Sequence, residues 1–132
     1  MVIKISMRIL ILSVFFAFAC TNHKKNCFNK ADKGDYQGAI AECNKAIELD
    51  PKDAKAYNNR GYAKRNLGDN QGAIADYNKA IELDPKDATT YYNRGYAKSE
   101  LGDKQGACLD WSKAGELGDS DAYRLINEYC NK

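Results

Sequence analysis

The phrase KAIELDPKDA occurs twice, at 45–54 and 79–88, and places the chain's only two prolines, Pro51 and Pro85, 34 residues apart. An identical phrase at a fixed spacing marks a tandem repeat. A repeat of this length is one supersecondary unit, which buries its apolar face only against its neighbours. On this period, AYNNRGYAKRNLGDNQGAIADYNKAIELDP (56–85) aligns with TYYNRGYAKSELGDKQGACLDWSKAGELGD (90–119), and KNCFNKADKGDYQGAIAECNKAIELDP (25–51) matches both more loosely. Three units result.

Apolar and small residues recur at helical spacing on either side of a Gly-Asp pair in each unit: Gly34-Asp35, Gly68-Asp69 and Gly102-Asp103. This predicts a helix, a tight turn and a second helix. The glycine can take the left-handed conformation that ends the first helix, and the aspartate can cap the second. Asp50-Pro51 and Asp84-Pro85 end the second helix, because the residue before proline avoids the helical region.

These units strongly resemble the tetratricopeptide repeat family. The residues that carry the resemblance are Tyr57, Gly61, Leu67, Gly68, Ala73, Tyr77, Ala80 and Pro85, then Tyr91, Gly95, Leu101, Gly102, Ala107, Trp111 and Ala114. The resemblance spans roughly Asn22 to Asp119 and implies an all-α, right-handed superhelical solenoid. Its expected parts are an atypical first repeat (22–51), a second (54–87), a third (88–119) and a capping helix (120–132). Gly61 and Ala73 would let two helices approach closely while Tyr57 and Tyr77 fill the space around the crossing.

Two departures fall in the terminal units. Cys27 stands where the others have Gly61 and Gly95, and Gly118-Asp119 replaces Asp-Pro. The segment DAYRLINEYC (121–130) reads as the cap, presenting Leu125 and Ile126 to the last repeat. With Ala114, Gly118 and Ala122, Leu125 also makes this end similar to Sel1-like repeats.

In the family, one face of the first helices lines a concave groove that binds extended peptides or helices. Here that face carries Asn58, Tyr62 and Arg65, then Tyr92, Tyr96 and Ser99. Tyrosine suits such a surface through its large contact area and polar tip. The alternative is that Tyr62 and Tyr96 stack between repeats as a structural ladder. The family's carboxylate clamp begins with lysine where this chain has Asn58 and Tyr92, so it is not carried over. Arg60 and Arg94 stand where many relatives have leucine, and Asp76 and Asp110 follow sixteen residues after each. This predicts a structural ion pair, within a unit or between Asp76 and Arg94 across the junction.

The first 19 residues carry Lys4 and Arg8, an apolar run from Ile9 to Ala19 broken only by Ser13, and the small-x-small triplet Ala17-Phe18-Ala19. That is the layout of a secretory signal peptide. The run falls short of the roughly 20 apolar residues needed to span a bilayer. Cleavage after Ala19 would leave Cys20 first, which resembles a bacterial lipoprotein signal, where that cysteine is lipid-modified. Ala17, where such signals usually carry Leu, suits ordinary signal peptidase as well. Plain secretion and an uncleaved N-terminal anchor are the alternatives. Residues 20–26 are expected as a polar tether.

Five cysteines in an exported chain ask for disulfides. With Cys20 lipidated, Cys27, Cys43, Cys108 and Cys130 remain, and four cysteines allow three pairings. On the repeat alignment, Cys27 replaces glycine and Cys43 replaces the aromatic seen as Tyr77 and Trp111, both at one helix crossing. Cys27 is therefore expected with Cys43, and Cys108 with Cys130. The alternative is four buried free thiols.

The charge balance excludes several functions. The 20 Lys plus Arg and 18 Asp plus Glu give +2; without Lys4 and Arg8 the count is 18 against 18. A neutral surface lacks the clustered basic residues of a nucleic-acid binder. No Ser/His/Asp set, phosphate-cradling loop or metal cluster is apparent, and the sole histidine, His23, lies in the expected tether, so no enzyme, cofactor or metal is expected. The reading is an exported, lipid-anchored adaptor of the cell envelope, on the periplasmic or outer surface, that binds a protein or peptide partner. Its alternative is a self-associating structural repeat protein with no separate ligand.

Overall fold

The computed structural model describes residues 2–131, with side chains from residue 7 onward. It is all-helical among the described residues. The elements are α1 (Val2–Asp32), α2 (Tyr36–Leu49), α3 (Ala54–Asn66), α4 (Asn70–Leu83), α5 (Ala88–Glu100), α6 (Lys104–Glu116), α7 (Ser120–Leu125) and a closing π-helical turn, Ile126–Cys130. Packing is strongest within the pairs α1–α2, α3–α4 and α5–α6, and the pairs stack in chain order through α2–α3 and α4–α5. Three helical hairpins thus form a solenoid, closed at one end by α7.

Each hairpin turns as its Gly-Asp pair requires. Gly34, Gly68 and Gly102 have φ of +79°, +86° and +84°, a region that costs a residue with Cβ roughly 1–2 kcal/mol. The next aspartate then caps the second helix: Asp35, Asp69 and Asp103 accept from the amides of Gly38, Gly72 and Gly106. Asp53, Asp87 and Asp119 cap α3, α5 and α7 in the same way. Each such cap is worth about 1 kcal/mol.

The core lies where the two helices of a hairpin cross. A Cβ built on Gly61 would stand 2.8 Å from the Tyr77 ring, and one on Gly95 would stand 2.5 Å from Trp111. The fully buried aromatic ring therefore occupies the space that the glycine leaves. In the first hairpin Cys27 and Cys43 hold these two positions, with Cα atoms 4.9 Å apart and sulfurs at bonding distance. A short bridge fills a crossing that has lost both its glycine and its ring.

Residues 20–26, expected as a tether, are helical and continuous with the rest of α1. His23 Nδ1 lies 2.6 Å from Glu42 Oε2, and Lys24 Nζ donates to Asp50 at 2.8 Å and pairs with Asp53 at 3.0 Å. These contacts to α2 and to the turn before α3 hold the segment in place, which a polar composition alone does not reveal.

At the other end, α7 buries Ala122 and Leu125 against Trp111 and Ala114, with Ile126 half-buried beside them. Cys108 on α6 is bonded to Cys130, Cα to Cα 5.8 Å, which fastens the closing turn to the last hairpin. From Met7 to Phe18 every large apolar side chain of α1 is exposed, so nothing among the described residues covers that stretch. Among the described residues no helix is long and apolar enough to cross a membrane.

Candidate binding groove

The first helices of the hairpins place Thr21, Lys55 and Thr89 on one side of the solenoid at intervals of one repeat. Between them opens a groove of about 580 Å³, lined also by Lys24, Phe28, Asn58 and Asn59. A second hollow of about 240 Å³ continues it past Tyr62 and Asn93. Amide side chains meet in a floor whose exposed lining is mostly apolar: Asn93 Nδ2 donates to Asn58 Oδ1 at 3.3 Å. Phe28, 56% exposed, is the apolar face in this floor. Amide and hydroxyl groups around one aromatic ring suit the alternating donors and acceptors of an extended main chain.

Lys24 is already committed in this groove. Its hydrogen bond to Asp50 and the charge of Asp53 push its pKa above the ordinary lysine value. The same bond holds the Asp50 carboxyl below the usual carboxylate range. Lys25 and Lys55, by contrast, make no ion pair among the described residues.

Aromatic side chains run along the floor and away from it. Tyr36 meets Tyr62 edge-on at 6.2 Å. The Arg65 guanidinium lies 5.4 Å from the Tyr62 ring and 5.3 Å from the Tyr96 ring, so a cation separates the two tyrosines instead of a direct stack. Such contacts contribute about 0.5–1 kcal/mol each at exposed sites. Tyr96 then meets Tyr92 at 5.1 Å and Trp111 at 5.6 Å, and Trp111 meets Tyr129 at 5.7 Å. Burial and the Tyr96 hydroxyl push the Tyr92 phenol up to about 12.

The arginines serve the packing of hairpins. Arg60 forks onto Asp76, Nε to Oδ2 at 2.9 Å and Nη2 to Oδ1 at 2.6 Å, while Nη1 donates to Asn44 Oδ1 at 2.8 Å. Lys64 completes the site at 2.9 Å from Asp76. Arg94, Asp110, Asn78 and Lys98 repeat this arrangement one unit on. The ion pair is therefore within a unit, and the bond across the junction runs from arginine to asparagine. Asp76 is only 4% exposed, so its charge depends on these donors. Asp76→Ala, which leaves Arg60 and Lys64 facing each other, is expected to cost about 3 kcal/mol. Urea unfolding of the variant checks this, and a loss below about 1 kcal/mol would rule out a structural pair.

Residues 30–68 and 61–102 match the family model described as TPR repeat, together more than half of the chain. The chain belongs to the TPR repeat family. No curated protein matches it. Among solved structures, the Arabidopsis OM64 TPR domain is 25% identical with a TM-score of 0.83, covering 87% of this chain and 97% of that one. The TPR2B domain of yeast Sti1, solved as a complex with pHsp70, is 26% identical with a TM-score of 0.76, covering 85% and 93%. MamA is 26% identical with a TM-score of 0.79, covering 83% and 66%.

Within this TPR fold the six expected groove residues separate. Asn58 and Tyr62 line the hollow, and Arg65 lies over Tyr62. Tyr92 and Tyr96 pack against the cluster of Trp111 and α7. Ser99 donates to the Tyr96 carbonyl and borders a separate pocket of about 270 Å³ with Trp111 and Tyr129. The reading from sequence missed Thr21, Lys24, Phe28, Asn59, Thr89 and Asn93. Lys24 and Phe28 lie one repeat before Asn58 and Tyr62; for Lys24 that signal was lost once residues 20–26 were taken for a tether.

Proposed function

We propose that this TPR protein is an exported interaction module, held at a membrane by lipid on Cys20, whose groove takes an extended segment of a partner protein. The observation that carries the reading is the groove itself: Asn58, Asn59, Thr21 and Thr89 offer hydrogen bonds beside the exposed ring of Phe28. The pHsp70 complex of the yeast Sti1 TPR2B domain supports it as a likeness of fold and of use. Export rests on the apolar run before Cys20, which the rest of the fold leaves uncovered. End-to-end self-association would need the surface of the last hairpin, and α7 with the Cys108–Cys130 bond occupies it.

Two measurements test the parts separately. Intact mass of the protein from its native membrane fraction should give a chain starting at Cys20 with added acyl mass; an unmodified chain would remove the anchor. Affinity capture of a partner by the wild type should fall at least tenfold in Asn58→Ala with Tyr62→Ala, at unchanged helicity. Equal capture would remove the groove from the function.

A further inference from the structure

The anchor and the first repeat share no linker. Helices α3 and α5 begin at Ala54 and Ala88, and one repeat earlier the same position is Cys20. The residue that would carry lipid, or end an uncleaved apolar anchor, is thus the first residue of the first repeat helix. The next residue, Thr21, already lines the groove with Lys55 and Thr89. Helix α1 runs through this point without a break, and Lys24 ties it to Asp50 and Asp53 at 2.8 and 3.0 Å.

From these facts we infer that the edge of the solenoid holding the starts of α3 and α5 lies at the bilayer surface, and that the groove takes a juxtamembrane segment of another membrane-anchored protein. Eight residues of helix separate Cys20 from Phe28, about 12 Å at 1.5 Å per residue. An extended chain covers that distance in about four residues, so a segment close to its own membrane anchor reaches the groove without a long spacer. The Gly68-Asp69 turn stands at the far end of α3, about 20 Å away along the helix.

The charge on this edge favours a peptide over the lipid surface itself. Lys24, Lys25, Lys52, Lys55 and Lys86 are offset by Asp50, Asp53, Asp84 and Asp87, too even a balance for strong attraction to anionic headgroups. The groove instead sets the hydrogen-bonding side chains of Thr21, Asn58, Asn59 and Thr89 beside the ring of Phe28, which suits a main chain with an apolar side chain.

The inference rests on the anchoring proposed above, and the test separates the two. Full-length protein with its anchor is reconstituted in vesicles of phosphatidylethanolamine and phosphatidylglycerol doped with headgroup-nitroxide lipid. A fluorescent amino acid stands at Lys55, on the groove edge, or at Gln71, on the opposite edge; both side chains are exposed. Quenching at Lys55 is expected to exceed that at Gln71 at least threefold. Equal or reversed quenching in protein that floats with the vesicles overturns the orientation alone, and protein that does not float overturns the anchoring and this inference with it. A photo-crosslinking residue at Asn59 in cells should then join a segment within about ten residues of the partner's membrane anchor. Crosslinks to a soluble protein or to the lipid overturn the assigned partner.

Discussion

Reducing both disulfides is expected to lower the unfolding free energy by about 6 kcal/mol. Cys27 and Cys43 enclose a loop of 16 residues, and Cys108 and Cys130 one of 22. Loops of this size restrict the unfolded chain by about 3 kcal/mol each. Domains of this size hold only about 5–15 kcal/mol in all, so the reduced protein should lose a large share of its stability and unfold at a much lower temperature. Urea unfolding with and without reductant measures the difference, and a loss under about 2 kcal/mol would contradict it.

The two bridges should not be equivalent when replaced by side chains. Both Cys27 and Cys43 are fully buried at a crossing filled elsewhere by glycine against a ring. Cys27→Gly with Cys43→Tyr restores that pair and is expected to unfold at higher urea than Cys27→Ala with Cys43→Ala. The order would reverse if the first hairpin crossed with a geometry of its own.

Trp111→Ala is expected to cost about 3–5 kcal/mol, the range for deleting a large buried ring. Trp111 is 1% exposed, fills the space above Gly95, and donates Nε1–H to the Tyr92 carbonyl at 3.3 Å. It also supports Tyr96 and Tyr129, so the cap should loosen with the core. Thermal unfolding should show a drop of more than about 10 °C, and hydrogen exchange should rise first in α7. A fall of a few degrees would mean that the hairpin collapses around the missing ring. Tyr77, the counterpart of Trp111 one repeat earlier, buries its hydroxyl with no hydrogen-bond partner among the described residues, and burial pushes that phenol's pKa up.

Much of this architecture was legible from local chemistry. A Gly-Asp pair specifies a left-handed turn and a cap within a few residues, and Asp-Pro specifies a helix end, so the hairpins and their length follow from short-range rules. The groove was legible in part. Asn58 and Tyr62 lie on the face that the family resemblance assigns to the groove, and they line the hollow. Tyr92, Tyr96 and Ser99 occupy the same helical face, yet α7 and Trp111 use that end for packing, and a face pattern does not say which neighbour arrives to cover it.

The sequence by itself determined the repeat, its period, the turn and cap chemistry and the positions where cysteine replaces a glycine–aromatic pair, because each is written in residues close together or one period apart. Only the tertiary structure decided that residues 20–26 pack as helix against the first hairpin. Residues 20–26 are too polar to announce a packed helix, and what holds them is Glu42, Asp50 and Asp53, side chains from the second helix and the turn that follows it. The same holds for Arg60 and Arg94: the sixteen-residue spacing to aspartate named the pair, but the choice between neighbours depended on which helix lay within reach of a planar fork, and that distance exists only in the folded solenoid.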